Sequence, residues 1–164
     1  MIRMAQEGDI TQIMEIIRDS TAIMKEQGNP QWSDDYPTAK DFLGDIGART
    51  LYVWEDHDEI AGLICVNRDE PKEYATVTWS GDGPLAVLHR MAVAPDRRGQ
   101  QIGRALLTFA EEAVKKEGIF YIRTDTYSQN QAMNHLLQKQ GYVLCGHMTF
   151  KSRPGHFNCY EKFL

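Results

Sequence analysis

Cysteine is scarce: Cys65, Cys145 and Cys159 are the only three, and they are widely spaced. An odd, dispersed set does not build a disulfide framework. No CxxC pair occurs, and no histidine–cysteine group has zinc spacing, so no metal is expected. The thiols are expected to be reduced and mostly buried, as free cysteines tend to be. Long apolar runs are also missing; none approaches the ~20 residues of a membrane helix. The opening Met1-Ile2-Arg3-Met4-Ala5-Gln6-Glu7 turns polar too early for the apolar stretch of a secretory leader. These shortfalls predict a cytoplasmic protein without a membrane partner. Positive charge is the third shortfall: 18 Lys and Arg stand against 23 Asp and Glu, for a net charge of −5. Nucleic acid favours a basic surface, so no nucleic-acid partner is expected, whereas a cationic small molecule is compatible.

What is present suits one folded domain. The 164 residues are 42% hydrophobic and 25% charged, ordinary values for a globular chain. A chain of this length buries roughly 70% of its unfolded surface, enough for a single core. No repeat, linker or low-complexity tract divides it, so residues 1–164 read as one domain.

The periodicities place the elements. Ile2 to Met4 is a short strand. Ile10, Ile13, Met14, Ile17 and Met24 recur at helical spacing, with Asp9 as the expected cap and a stop near Gly28 before Asn29-Pro30. Thr38 with Asp41 three residues later has the form of a capping box, opening a short helix that buries Phe42, Leu43 and Ile46. Thr50 to Glu55 and Glu59 to Asn67 flank the polar turn Asp56-His57-Asp58, a hairpin. A polar loop leads to an apolar strand, Leu85 to Val93. A helix from about Gly103 to Lys116 follows, closed by Gly118. Ile119 to Asp125 is a strand, Asn130 to Gln140 a helix, and Tyr142 to Phe150 and Phe157 to Leu164 are strands. Strands and helices mix without strict alternation, which makes the class α+β with a mixed sheet.

The most informative stretch runs Val93-Ala94-Pro95-Asp96-Arg97-Arg98-Gly99-Gln100-Gln101-Ile102-Gly103-Arg104. An apolar strand enters a basic, glycine-containing loop, and the loop opens an amphipathic helix. A helix start carries unpaired N–H groups and partial positive charge, so this is an anion site by construction. There is no GxxxxGK[ST] for a nucleotide P-loop and no GxGxxG for a Rossmann site.

These residues resemble the acetyl-coenzyme A loop of the GNAT-type N-acetyltransferase superfamily. Its signature of Gln or Arg, two residues, Gly, one residue, then Gly or Ala reads here Arg98-Gly99-Gln100-Gln101-Ile102-Gly103, with Gln101 in place of the first Gly. A second block, Asn130-Gln131-Ala132 on to Lys139-Gln140-Gly141-Tyr142, is similar to the family's helix that ends in Gly-Phe or Gly-Tyr. The resemblance implies a GNAT-like fold: a central, mixed, mostly antiparallel twisted sheet of about six to seven strands flanked by about four helices. It also implies an acetyl-CoA cosubstrate and a small-molecule or peptide amine as acceptor. A homodimer fits it as well, since dimers are common in the superfamily. Two positions depart from the pattern. Gln101 stands where Gly is usual, which implies ordinary dihedrals there and a slightly reshaped loop. Leu137 stands where many members carry a tyrosine that protonates the leaving thiolate.

The resemblance implies direct attack of an amine on the thioester, and it assigns Met91, Ala92, Val93, Arg98, Gly99, Gln100, Gln101, Ile102, Gly103, Arg104 and Asn130 to the cofactor. A lysine-like amine holds its proton at pH 7 by about 4.6 kcal/mol, so a proton acceptor is needed. The thiol leaves near the ~8.5 of cysteine, so a strong acid is dispensable. His89, on the strand that leads to the loop, is the first candidate base; the arylalkylamine branch of the superfamily looks similar there. Glu70 and Glu73, acting through water, are the alternatives. Trp32, Tyr36 and Trp79 are candidates to wall an acceptor pocket and hold a cation. A non-catalytic acyl-CoA-binding module is the rival reading.

Overall fold

The helices follow from one-sided apolar stripes. In α1 (Ile10–Glu26), Ile13, Ile16, Ile17 and Ser20 form the buried face at helical spacing. The short α2 (Ala39–Gly47) starts on the expected capping box: the Asp41 carboxylate accepts from the Thr38 N–H at 2.7 Å and from its hydroxyl at 2.9 Å. In α3 (Ile102–Lys116), Ile102, Leu106, Leu107, Ala110 and Val114 are buried. The last helix, α4 (Gln131–Lys139), buries Leu137.

The computed structural model describes residues 1–164. Seven strands form one sheet: β1 (Ile2–Met4), β2 (Leu51–Asp56), β3 (Glu59–Asn67), β4 (Ala86–Val93), β5 (Tyr121–Tyr127), β6 (Val143–Phe150) and β7 (Arg153–Phe163). Their order is β1-β2-β3-β4-β5-β7-β6. Every neighbouring pair is antiparallel except β4 and β5. The sheet is therefore mixed and mostly antiparallel, with four helices, as the resemblance implies.

Two faces are covered differently. Ile64, Leu88 and Ile122 pack under α3 and α4 with Leu106, Leu107 and Leu137. On the opposite face, Leu51, Val53, Leu63 and Cys65 pack under α1 and α2 with Ile13, Ile17 and Phe42. A third cluster extends that same face: Val87, Tyr127, Phe157 and Cys159 lie beneath Tyr74. Tyr74 comes from a 3-10 turn, Lys72–Thr76, inside the segment expected to be a plain polar loop. Turn propensity is weak there; the turn exists because it seats one fully buried aromatic ring.

Other expectations change in detail. Asp9 does not cap α1. Its carboxylate takes a bidentate bond from Arg3 at 2.8 and 2.9 Å and a bond from the Gln6 N–H at 2.8 Å, because it closes the capping box of the 3-10 turn Glu7–Asp9 that precedes α1. Arg3 also reaches Glu55 on β2 at 2.6 Å, so this cluster fastens β1 to the sheet. Strand β7 begins at Arg153, four residues before Phe157, because its pairing with β6 runs to the hairpin contact Phe150↔Arg153. All three cysteines are unpaired; Cys65 and Cys159 are buried and Cys145 half-buried.

Leu137 has no exposed surface and sits in the core beneath α3. Leu137→Ala is expected to cost ~2–5 kcal/mol in denaturant unfolding, from lost burial plus a cavity. The folded fraction should keep its turnover rate. A tenfold rate loss at unchanged melting temperature would contradict the packing role.

Candidate active site

Strands β4 and β5 lie parallel but pair only at Ala86↔Ile122 and Val87↔Arg123. The Thr124 hydroxyl closes the seam with a 3.0 Å bond to the Leu88 carbonyl. Beyond that point the strands part, and the β4 edge facing β5 has no strand partner. Main-chain groups along that edge are free to meet a ligand. The parting coincides with a bulge. Register with β3 shifts between Leu63 and Cys65, so Ile64 opposes two β4 residues, and Arg90 takes a φ of +44. A side chain in that region costs on the order of 1 kcal/mol. Arg90 is held there by Asp45 of α2, at 2.7 and 2.6 Å, and by the Tyr36 hydroxyl at 3.0 Å.

Just past β4, the basic loop delivers the helix start that the sequence predicts. The N–H groups from Gly99 to Arg104 have no protein acceptor, and no side chain caps α3. Arg97 is spoken for by Asp56 at 2.8 Å and by Gln100 at 3.1 Å. Arg98 and Arg104 are exposed and in no ion pair. Unpaired N–H groups and two free guanidinium groups at a helix N-terminus form a site for a phosphate-bearing ligand. Gln101 departs from the sequence expectation. Its φ is +65, a left-handed conformation, so the loop keeps the glycine-like shape and carries the strain instead of relaxing.

A cavity of about 1400 Å³ runs from this loop through the parting of the strands. Met91, Ala92 and Val93 of β4 line its middle, and α4 lines one wall through Met133 and Leu136. Its far end is formed by Ser20, Ile23 and Met24 of α1 with Asn29 and Trp32. The cavity thus joins the face under α3 and α4 to the face under α1.

Among the proposed cofactor residues, ten of eleven line this cavity; Gln100 does not, its side chain being bonded to Arg97. Asn130 caps α4 by accepting from the Met133 N–H at 3.2 Å, which leaves its amide N–H₂ free toward the cavity. Arg97 reads from the sequence as added charge on the loop, whereas the end of α1 and the inner face of α4 carry no such reading. The spacing of Met133, Leu136 and Gln140 was the available signal for α4, since those residues share one helix face.

The candidates for proton transfer and acceptor binding scatter. His89 does not line the cavity. Its Nε2 lies 2.9 Å from Asn67 Oδ1 and 3.0 Å from the Asp69 carbonyl, both acceptors here, so that nitrogen carries the proton. Burial, helped by the charge on Arg90, lowers its pKa to about 4. An imidazole of that basicity is poorly matched to an ammonium proton near neutral pH. Glu70 is bound to Arg123 at 2.7 Å. Glu73 stands on the 3-10 turn beside Tyr74, half-buried. Of the aromatic candidates only Trp32 reaches the cavity. Tyr36 lies beneath the Arg153 guanidinium at 5.4 Å, and Trp79 is covered by Arg123 at 4.5 Å while its indole N–H donates to the Tyr74 carbonyl.

The fold that carries this site is shared with known proteins. The family model described as "Acetyltransferase (GNAT) family" matches residues 11–142. The chain belongs to the GNAT acetyltransferase family. It is 26% identical over 127 residues to the uncharacterized N-acetyltransferase YesJ of Bacillus subtilis (strain 168), covering 75% of this chain and 70% of that protein. A GNAT-family acetyltransferase structure from Streptococcus agalactiae superposes with a TM-score of 0.89 at 28% identity, covering 100% of this chain and 95% of that one. The structure of yncA from Salmonella typhimurium with its cofactor acetyl-CoA gives a TM-score of 0.76 at 18% identity, covering 100% and 93%. Within this GNAT domain no helix is long and apolar enough to cross a membrane. No group of three or more His, Cys, Asp or Glu side chains is arranged to hold a metal ion.

The state of His89 has a measurable consequence. Its folded pKa lies below its unfolded value of ~6.5, so the native state binds fewer protons between the two. That stability is fully present above ~6.5 and is lost as pH falls toward 4, by about 2–3 kcal/mol. His89→Gln is expected to flatten the acid-side fall in unfolding free energy. An unchanged slope from pH 7 to pH 4 would show that the ring titrates freely.

Proposed function

We propose that this acetyltransferase moves an acetyl group from acetyl-CoA to a primary amine by direct attack of the amine on the thioester. The observation that carries this reading is the continuity of the cavity. It begins at unpaired N–H groups with two free arginines, fit for the coenzyme's phosphates, and passes between the parted strands to the opposite face. Gly99 to Arg104 would hold the pyrophosphate, with Arg98 and Arg104 supplying charge. The open β4 edge at Met91 to Val93 would bind the pantetheine arm and offer main-chain N–H groups to the thioester oxygen. Asn130 would add its free amide N–H₂. The thioester supplies an activated acyl carbon and a leaving group that departs without a strong acid, which fits a buried Leu137 where an acid is often found. The Salmonella structure carrying acetyl-CoA on the same fold supports the assignment. Three unpaired thiols suit a reducing compartment, and the cytoplasm is the proposed setting.

Gly103 provides the test. Its φ is not left-handed, and a Cβ there would press only on the ends of the flexible side chains Leu136 at 3.0 Å and Met91 at 3.3 Å, with Val93 in ordinary contact at 3.8 Å. Gly103→Asp should therefore fold. It would set a carboxylate at the anion site, so acetyl-CoA affinity by calorimetry is expected to fall at least about tenfold. Undiminished affinity in the folded variant would remove the loop from the site. Tight binding in the wild type with no thiol release for any amine would favour the binding-module reading.

A further inference from the structure

Asp125 is the first β5 residue beyond the closed seam, one place after Thr124. It lies three residues from Ile122, which faces α3, so its side chain belongs to the face of Tyr127 and Cys159. There the Tyr74 hydroxyl donates to Asp125 Oδ1 at 2.7 Å. No protein group donates to the other oxygen, Oδ2, and that oxygen is not sealed from solvent. Asp125 does not itself line the cavity; with one oxygen fixed and one free, it stands directly after the seam residue Thr124 and three residues before Ser128, which does line it. The adjoining segment also covers this point. Gln31 Oε1 lies 3.4 Å from both the Thr126 hydroxyl and the Tyr127 N–H, one residue from Trp32 at the cavity end.

We propose that Asp125 receives the ammonium group of the acceptor and takes its proton, so the acceptor is a cationic primary amine entering from the face under α1. This rests on the acetyl-transfer reading given above. The ammonium gives one proton to Oδ2, and the amine lone pair forms the new C–N bond to the acetyl carbon. The C–S bond breaks, and its electron pair leaves on the sulfur. The second amine proton ends on that sulfur as the free thiol, and Asp125 returns its proton to water. The products are the amide, coenzyme A thiol and one proton.

The surroundings tune the group for this work. Burial pushes the Asp125 carboxyl up to about 6, Glu73 adds to the rise, and the Tyr74 bond and the charge on Arg153 oppose it. Cys159 is its cross-strand neighbour on β7, its thiol also raised by burial. A carboxyl near 6 is mostly ionised at neutral pH and more basic than an ordinary aspartate. Tyr74 acts through Asp125, as a positioning residue.

The test uses the full chain, acetyl-CoA and a panel of amines that includes diaminobutane, a lysine-bearing peptide and the uncharged hydroxylamine. Wild type is expected to bind acetyl-CoA and to release thiol with a cationic amine. Asp125→Asn should lower kcat/KM at least about 100-fold and abolish the acid limb of the pH–rate profile. Its acetyl-CoA affinity should stay within about twofold and its melting temperature should not fall. Tyr74→Phe should shift the acid limb to another pH while keeping part of the rate. Independently of turnover, carbon NMR should find the Asp125 carboxyl titrating near 6, with its midpoint lowered when the accepted amine is added. Full activity and an unchanged acid limb in Asp125→Asn would overturn the inference. So would acetyl-CoA binding with turnover of hydroxylamine alone, or with no turnover of any cationic amine. No acetyl-CoA binding in the wild type would instead overturn the acetyl-transfer reading beneath it.

Discussion

The parting of β4 from β5 is the constraint on which the rest of the molecule depends. Two parallel strands that stayed paired would present a continuous sheet, with no passage between its faces and no free main-chain edge. Here the ladder stops after Val87 and Arg123, and the bulge at Arg90 turns β4 away. The bulge carries a strained residue, and strain persists only when neighbours over-determine it. The bidentate pair with Asp45 does so, because both side chains are largely buried and leaving either unpaired would be costly. A helix on one face thus fixes the shape of a strand edge that serves the other.

Arginine recurs as the fastening for irregular chain. Arg3 ties β1 to β2, and Arg90 ties the bulge to α2 and Tyr36. Arg153 lies over the Phe150 ring at 4.0 Å and donates to the Gln31 carbonyl at 3.3 Å, holding the segment after α1 against the last hairpin. Arg123 lies at the centre of a partly buried network. It binds Glu70, the Tyr121 hydroxyl and the Gly81 carbonyl, while Tyr121 donates to Glu161 and Glu161 accepts from the Ser80 N–H. The loop passes so close that a Cβ on Gly81 would lie 2.5 Å from the Tyr121 ring. This network fixes the segment that carries Tyr74, and with it the orientation of Asp125. Planar guanidinium groups suit such tasks, since each satisfies several acceptors in set directions.

The regular elements were legible because their signals are local. The stripe of α3, the capping box at Thr38 and the hairpin around Asp56 are each contiguous in sequence, the longest being the hairpin from Leu51 to Asn67. The loop from Arg98 to Gly103 was legible for the same reason, with charge, glycine and helix start contiguous in sequence. Gln101 misled because residue identity alone predicts ordinary dihedrals, whereas the surrounding loop imposes a left-handed one. Asp9 misled because its partner, Arg3, is outside the helix it was expected to cap. The proton-transfer candidates were the least legible. His89 has the right residue type on the right strand, yet its direction is set by a bulge and by Asn67 and Asp69, 22 and 20 residues away. Asp125 gave no local signal at all. Its distinction comes from Tyr74, 51 residues earlier, and from a strand parting that only the tertiary structure creates.

Acetyl-CoA is expected to occupy one passage, from the uncapped start of α3 to the open edge of β4. Amide chemical shifts recorded while acetyl-CoA is titrated into the protein test it most directly. The largest changes are expected at Gly99 to Arg104, at Met91 to Val93 and at Asn130, saturating together with one affinity. Changes confined to the outer edge at β6, or loop and strand responses that saturate at different concentrations, would contradict it.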